Sequence, residues 1–344
     1  AVEDDAIRDV VAMQENLGLR TATDGEFRRT SWHMDFIHRL GGVSPTDERI
    51  RVRMVNAEGE NAFTSAGLAI DGKIRLDEPI FADDFRFLAG LTTTATAKLT
   101  IPPSPSMVHY RGGTAAIDRD VYPPDVDEFW ADLSAAYAAE IAAIGELGCR
   151  YLQLDDTSLA YLNDPPPSAK PTATPTTCAT SARSTPPSPT VPTACGSPHM
   201  CRGNYRSSWA AEGGYDFVAE ALFGELDVDG FFCEFDDERS GGFEPLRFVP
   251  PGKRVVLGLV TTKRGALENP DDLKRRIDEA AKYVPLDQLC LSPQCGFSST
   301  VEGNSLTRDE QVAKLRLIVD VAATSGARFA GHVGRTAGLG NAVV

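Results

Sequence analysis

"PPPSAKPTATPTTCATSARSTPPSPTVPTACGSPHMCRGN", residues 165–204, is the stretch on which the fold turns, because it decides whether the chain has enough strands to close a barrel. Residues 165–198 are mostly Pro, Thr, Ser and Ala, with no Leu, Ile, Phe, Tyr or Trp. That composition reads as extended or disordered chain, not as helix or buried strand. The last six residues, "HMCRGN", are of another kind. His199 and Cys201 stand two apart, and at a strand end that spacing puts both side chains on one side.

Outward from this stretch the chain alternates helix and strand. Residues 1–17 place Ile7, Val10, Val11 and Leu17 at helical spacing. Strands are expected near 19–24, 96–101, 150–155, 229–235, 254–260 and 287–292. Helices are expected over 126–147, 207–225 and in "DDLKRRIDEAAKYV" and "RDEQVAKLRLIVDVAA". Residues 51–77 read as a β-hairpin or an excursion, with alternation and an Asp-Gly turn at Asp71-Gly72. Short strands that end in polar or reactive residues, separated by helices, predict a parallel sheet and, more specifically, a TIM (β/α)8 barrel with its site at the C-terminal strand ends. A doubly wound sheet would need a Gly-rich dinucleotide fingerprint, which the sequence lacks. Six strands are two short of eight. One is expected before residue 1, and the other inside the Pro/Thr/Ser-rich segment. The sequence therefore predicts a single catalytic barrel over 1–326, incomplete, with an anomalous segment at 165–198 and an atypical tail at 327–344.

The net charge of −15 over 344 residues argues against nucleic acid or an anionic membrane as a partner. No apolar run is long enough to span a membrane. The acidic, amphipathic opening "AVEDDAIRDVVAMQENLGLR" is no secretory signal, and without an initiator Met it reads as a fragment or a processed start. Seven cysteines at irregular spacing do not form a disulfide framework, so a reducing, cytoplasmic setting is expected. Nothing in the sequence specifies an oligomeric state.

The chemistry gathers at strand ends. His199 and Cys201 follow one expected strand, Glu234 ends "GFFCEFDD", and Cys295 lies in "LSPQCG" just past another. Imidazole, thiolate and carboxylate donors together suit zinc in a tetrahedral site. Cys149, Cys233 and Cys290 read as small buried hydrophobes.

"HMCRGN", "FFCEFDDERSG" and "LSPQCGF" resemble the zinc-site segments of the cobalamin-independent methionine synthase family, in its C-terminal catalytic barrel and closest to its short single-barrel branch. "TDGEFRRTSW", "LTIPPSPS" and "LQLDDTSLAYL" resemble the same branch, in order, so the likeness spans roughly 5–164 and 199–325. It implies a zinc-dependent methyltransferase of the 5-methyltetrahydropteroyltriglutamate–homocysteine type. The methyl of 5-methyltetrahydrofolate, carrying one or several glutamates, would pass to homocysteine and give methionine. By the same resemblance His199, Cys201, Glu234 and Cys295 are the zinc ligands. Glu26 and Asp155 are the catalytic carboxylates that hold the amino-acid substrate, and Ser104 is a further substrate contact. Asp156 and His109 are candidates for the proton donor to the folate nitrogen. Two alternatives remain: alkyl transfer to another small thiol of the coenzyme M kind, and a non-catalytic or defective zinc-binding fragment.

The sequence departs from that family where the opening strand should be, in the tail, and above all at 165–198, where the family has a charged helix and an apolar strand. The segment replaces them at about their length, which suggests two compensating frame displacements in a GC-rich gene, near Asp164–Pro165 and Pro198–His199. His199 and Cys201 would then sit on an unsupported segment, and Cys178 and Cys195 are not expected to be ligands.

Overall fold

The run from Arg254 to Val260 is buried along almost its whole length, as a parallel strand covered on both faces must be. The computed structural model, which describes residues 2–56, 58–103, 116–123, 126–157 and 195–325, builds seven such strands into one sheet. In chain order they are β1 (Thr21–Ala22), β4 (Thr96–Ile101), β5 (Tyr151–Asp156), β6 (Cys195–Met200), β7 (Gly230–Glu234), β8 (Arg254–Val260) and β9 (Leu289–Pro293). The spatial order is the same as the chain order, and every pairing is parallel. The sheet curls into a half-barrel. β1 and β9 form its two edges, and one further strand between them would complete eight.

All six expected strands form. The seventh leads into "HMCRGN", where the strand count asks for one, and corrects only the reading of that segment as replacing a strand. Cys195–Met200 is a strand, although nothing in "CGSPHM" has strand propensity. It pairs with β5 from Tyr151↔Cys195 to Asp156↔Met200, and with β7 at His199↔Phe232 and Met200↔Cys233. Two flanking strands supply the ladder, and strand formation follows this context more than intrinsic preference. His199 and Cys201 are therefore supported on both sides. The remainder of the anomalous segment (165–194), the tail (327–344), Ser104 and His109 lie outside the described residues.

An antiparallel excursion leaves the barrel after the short helix α2 (Met34–Ile37). Its strands, β2 (Gly41–Asn56) and β3 (Gly59–Arg75), pair almost end to end. The turn is at Asn56–Gly59, so the expected turn at Asp71-Gly72 is wrong. Those residues lie inside β3, where a Cβ on Gly72 would stand 3.1 Å from the Gly42 Cα. Glycine is there because two backbones cross closely.

Helices α1 (Val2–Asn16), α4 (Asp127–Glu146), α6 (Pro270–Ala280) and α7 (Arg308–Thr324) fall where the periodicity places them, and α3 (Ala82–Leu91) stands between the hairpin and β4. Thr307 and Glu310 form a capping box at the start of α7, and Asn269 caps α6. The helix expected over 207–225 shrinks to α5 (Ala219–Glu225). The reason is Arg202, whose fully buried guanidinium takes acceptors from Gly213 O (2.6 Å), Tyr215 OH (2.7 Å) and Glu234 O (3.0 Å). The chain at 203–215 folds around that charge instead of closing helical turns.

Two apolar clusters cover the outside of the sheet. One joins α1, α3 and α4 to β4 and the hairpin base through Ile7, Phe85, Leu99, Phe129 and Ile70. The other joins α5, α6 and α7 to β7, β8 and β9 through Phe223, Ile277, Ile318, Phe231 and Leu257. Inside the barrel Tyr151, Phe232 and Val256 pack together, with the Lys98 ammonium 5.7 and 5.4 Å from the centres of the first two rings.

Candidate metal centre and substrate cavity

Parallel strands put all their C-terminal ends on one rim, and the chemistry-bearing residues meet there. Cys201 lies one residue past β6, its N–H donating to Asp156 O at 3.0 Å. Glu234 is the last residue of β7, and Cys295 lies two past β9. One donor atom from each of Cys201, Glu234 and Cys295 lies within 4.8 Å of the others. The two cysteines, with Cα atoms 6.1 Å apart, are joined as a disulfide, and Cys295 Sγ is 3.9 Å from Glu234 Oε2. Reduction of that bond frees two sulfur donors beside one carboxylate, a set that fits zinc.

His199 does not belong to this trio. Its Nδ1 is 3.0 Å from Asp155 Oδ1. Gln153 donates from Nε2 to the same oxygen at 2.5 Å, and the Lys98 ammonium donates to Gln153 Oε1 at 3.2 Å. Because an ammonium only donates, it fixes which end of the Gln153 amide faces Asp155. An Nδ1–H donated to Asp155 leaves His199 Nε2 as the lone-pair nitrogen, the arrangement by which carboxylates commonly orient metal-binding histidines.

Glu234 is held by cations. Arg239 Nη2 at 2.7 Å, Lys263 Nζ at 3.3 Å and Gln294 Nε2 at 2.8 Å all donate to Oε1, and the Arg202 N–H donates to Oε2 at 3.1 Å. Burial pushes the Glu234 carboxyl up, but Lys263, Arg239 and Arg202 outweigh it and hold the group well below the usual carboxylate range.

Glu26 enters from the turn after β1. It has φ 55°, a left-handed conformation unusual for a residue with a side chain. The Asp24 carboxylate accepts the Glu26 N–H at 2.9 Å and steadies the turn. The Glu26 carboxylate receives Arg29 Nη1 at 3.0 Å and the Thr100 hydroxyl. Burial raises its pKa, Arg29 opposes that rise, and the Asp155 charge adds to it. Asp156 points the other way, as strand alternation requires. It does not line the cavity, and its charge acts on Tyr137 of α4.

Glu26, Asp155, His199, Cys201, Glu234 and Cys295 all line one cavity of about 1110 Å³. The hairpin forms a wall through Val52, Met54, Phe63 and Ser65. Its tip is tied to the loop after Cys201 by the paired backbones of Val55 and Trp209. The cavity also runs along the gap between β1 and β9, reaching Val10, Met13 and Leu315. Cys149 and Cys233 are buried free thiols, with Cys149 pushed up to about 11 by burial. They do not compete for the ligand role.

Sequence reasoning missed Gln153, Lys98, Lys263, Arg239 and Gln294. Gln153 had a signal, since it stands two before Asp155 and so shares its face. Gln294 adjoins Cys295. Lys263 and Arg239 had none, because they reach Glu234 from a different strand exit and a loop.

The family model of the cobalamin-independent synthase catalytic domain matches residues 2–324. The uncharacterized protein YxjG of Bacillus subtilis is 45% identical over 332 residues, covering 93% of this chain and 85% of that protein. A methionine synthase of Pyrococcus abyssi is 22% identical over 297 residues, covering 86% of this chain and 76% of that protein. Among solved structures, a Listeria monocytogenes protein assigned as a vitamin-B12-independent methionine synthase superposes with a TM-score of 0.71 at 37% identity, covering 94% of this chain and 86% of that one. A B12-independent methionine synthase of Shewanella sp. W3-18-1 shares the fold, with a TM-score of 0.70 at 18% identity over 94% of this chain and 86% of that one. No helix among the described residues is long and apolar enough to cross a membrane.

Proposed function

This chain belongs to the cobalamin-independent methionine synthase family, and from that premise we propose that it transfers the methyl group of 5-methyltetrahydrofolate to the thiol of homocysteine, with Cys201, Glu234, Cys295 and His199 holding zinc. Zinc, when bound, supplies a Lewis acid that lowers a thiol from its ordinary pKa of about 8.5, so that it reacts as the thiolate at neutral pH.

The residues around that centre have separate tasks. Asp155 orients the His199 ring, and it stands across the cavity from Glu26. Together the two carboxylates offer an anionic pair for the ammonium of an amino-acid thiol. Arg29 and Thr100 hold Glu26 in place. The hairpin wall excludes water from one side, which strengthens each of these charge interactions. The leaving folate nitrogen needs a proton, and the donor must come from a group that lines this cavity. A reducing cytoplasm suits a site that works only with its two cysteines reduced.

The observation that carries this reading is the meeting of two sulfurs and a carboxylate within 4.8 Å, in the cavity that also contains Glu26 and Asp155. The test is zinc stoichiometry of the reduced wild type against Cys295→Ser, with methyl transfer assayed to homocysteine and to a sulfonate thiol. The reading requires bound zinc in the wild type, its loss in the variant, and transfer to homocysteine. Zinc content unchanged by Cys295→Ser would sink the ligand set, and transfer to the sulfonate thiol alone would reassign the acceptor.

A further inference from the structure

Lys98 shares a face of β4 with Thr100, whose hydroxyl bonds Glu26, so Lys98 is one step deeper in the barrel and lines the same cavity. It is 5% exposed. Among the described residues its ammonium makes one hydrogen bond, to Gln153 Oε1 at 3.2 Å, and otherwise faces the Tyr151 and Phe232 rings. An ammonium has three N–H groups, so two are left without an oxygen acceptor, and a buried charge is costly unless it is paired. Burial lowers the Lys98 pKa to about 8, which leaves the group mostly protonated at pH 7. The arginines lining the cavity are placed differently. Arg29 is committed to Glu26, the Thr100 hydroxyl and Thr100 O, while Arg49 and Arg308 are exposed.

Resting on the reading of this cavity as the seat of an amino-acid thiol, we propose that Lys98 binds the α-carboxylate of the acceptor and so selects thiols that carry one. Glu26 and Asp155 take the ammonium of the substrate and Lys98 takes its anionic end, so the zwitterion is recognised at both charges. The carboxylate supplies the acceptors that Lys98 lacks, and out of water such a charged pair is strong. An amine thiol without that carboxylate is disfavoured twice. It leaves Lys98 short of acceptors, and it adds a second ammonium nearby. Lys98 also has an indirect hold on the ammonium side, because Gln153 accepts from it and donates to Asp155.

The test separates the direct role from the indirect one. It measures binding of methionine, and of 3-(methylthio)propylamine, the same molecule without its carboxylate, to the full reduced chain at pH 7 by titration calorimetry. Neither ligand has a thiol to exchange with the cysteines. Wild type should bind methionine at least about tenfold more tightly than the amine, the size of a hydrogen bond between charged groups. Lys98→Met should close that gap by weakening methionine and not the amine, and Lys98→Arg should keep part of it. Lys98→Gln removes the charge but keeps a donor, and it should narrow the gap if Lys98→Met does not fold. An effect through Gln153 and Asp155 alone would weaken both ligands together and leave the gap, which overturns the proposal, as does a wild type that binds the two equally. Wild type that binds neither ligand overturns the amino-acid reading of the cavity itself, whereas a gap that persists without Lys98 overturns only the role of Lys98.

Discussion

His199 Nδ1 stands 3.0 Å from Asp155 Oδ1, across the pairing of β5 with β6 that sets Asp155 opposite His199. The relationship gives Asp155 a task the sequence did not suggest, orienting the imidazole proposed as a metal ligand, besides its place in the cavity wall. Asp155→Asn keeps the size and removes the charge. It also lets an amide nitrogen face His199, which favours the wrong ring orientation. The expected outcome is zinc affinity lowered about tenfold or more, measured by competition with a chelator, with the far-ultraviolet circular dichroism unchanged. Unaltered affinity would remove Asp155 from any role at the metal.

The bond between Cys201 and Cys295 gives a second expectation. With the two sulfurs joined, neither is a thiolate, and metal uptake is blocked. Protein prepared without reductant should bind little zinc. Reduction should release two further titratable thiols and restore uptake, and Cys295→Ser should abolish that two-thiol difference. Equal zinc content with and without reductant would contradict it.

Much of this site was legible because strand geometry is local. His199 and Cys201, like Gln153 and Asp155, are two apart and share a face for a reason visible in the sequence. The strand ends at 155, 234 and 293 were visible as apolar runs that stop at polar residues. What was not legible is non-local. Pro198 and Gly196 gave no reason to expect a strand, and β6 exists because β5 and β7 flank it on both sides. Arg202 sits in the "HMCRGN" motif itself, yet its effect, preventing the helix expected over 207–225, depends on carbonyls as distant as Glu234 O and Ser240 O. Lys263 meets Glu234 across 29 residues, and no spacing rule predicts that.

Glu15 links α1 to the loop before β4. Its Oε1 accepts the N–H groups of Thr93, Thr94 and Ala95 at 2.7, 2.7 and 2.9 Å, and Oε2 accepts the Thr93 hydroxyl at 2.7 Å. The Ala95 N–H is the largest influence, and with the others it lowers the Glu15 pKa to about 2 against some opposition from burial. A depressed folded pKa stabilises above the ordinary value near 4.5 and loses that stability as pH falls through about 2. Glu15 is partly open to solvent, so the contribution is discounted to about 1 kcal/mol. Glu15→Gln should lower stability by about that amount at pH 7 and by progressively less between pH 4.5 and pH 2, as read from urea midpoints. A midpoint difference that does not narrow with acid would refute the assignment.

Lys98 gives the reverse sign. Its ammonium is buried inside the barrel, where burial lowers its pKa from 10.5 to about 8, although the Asp155 and Glu26 charges work against that shift. A base whose folded pKa is depressed makes the fold less stable while protonated. Between pH 8 and pH 10.5 the unfolded chain binds more protons, so stability rises with pH across that window, and below it the full penalty remains. Lys98→Met removes the penalty and keeps the length of the side chain. The gain at pH 7 is expected to be about 1–3 kcal/mol, reduced from the full shift because Asp155 and Glu26 lose a nearby cation. Gln153 would also lose the group that fixes its amide, so the more stable variant should hold zinc less tightly through Asp155 and His199. Denaturant unfolding at pH 7 and pH 10 reads the first effect, since the two proteins should differ less at the higher pH. Chelator competition reads the second. A variant that is less stable at pH 7, or equally displaced at both pH values, would show that Lys98 is a structural cation and not a strained one.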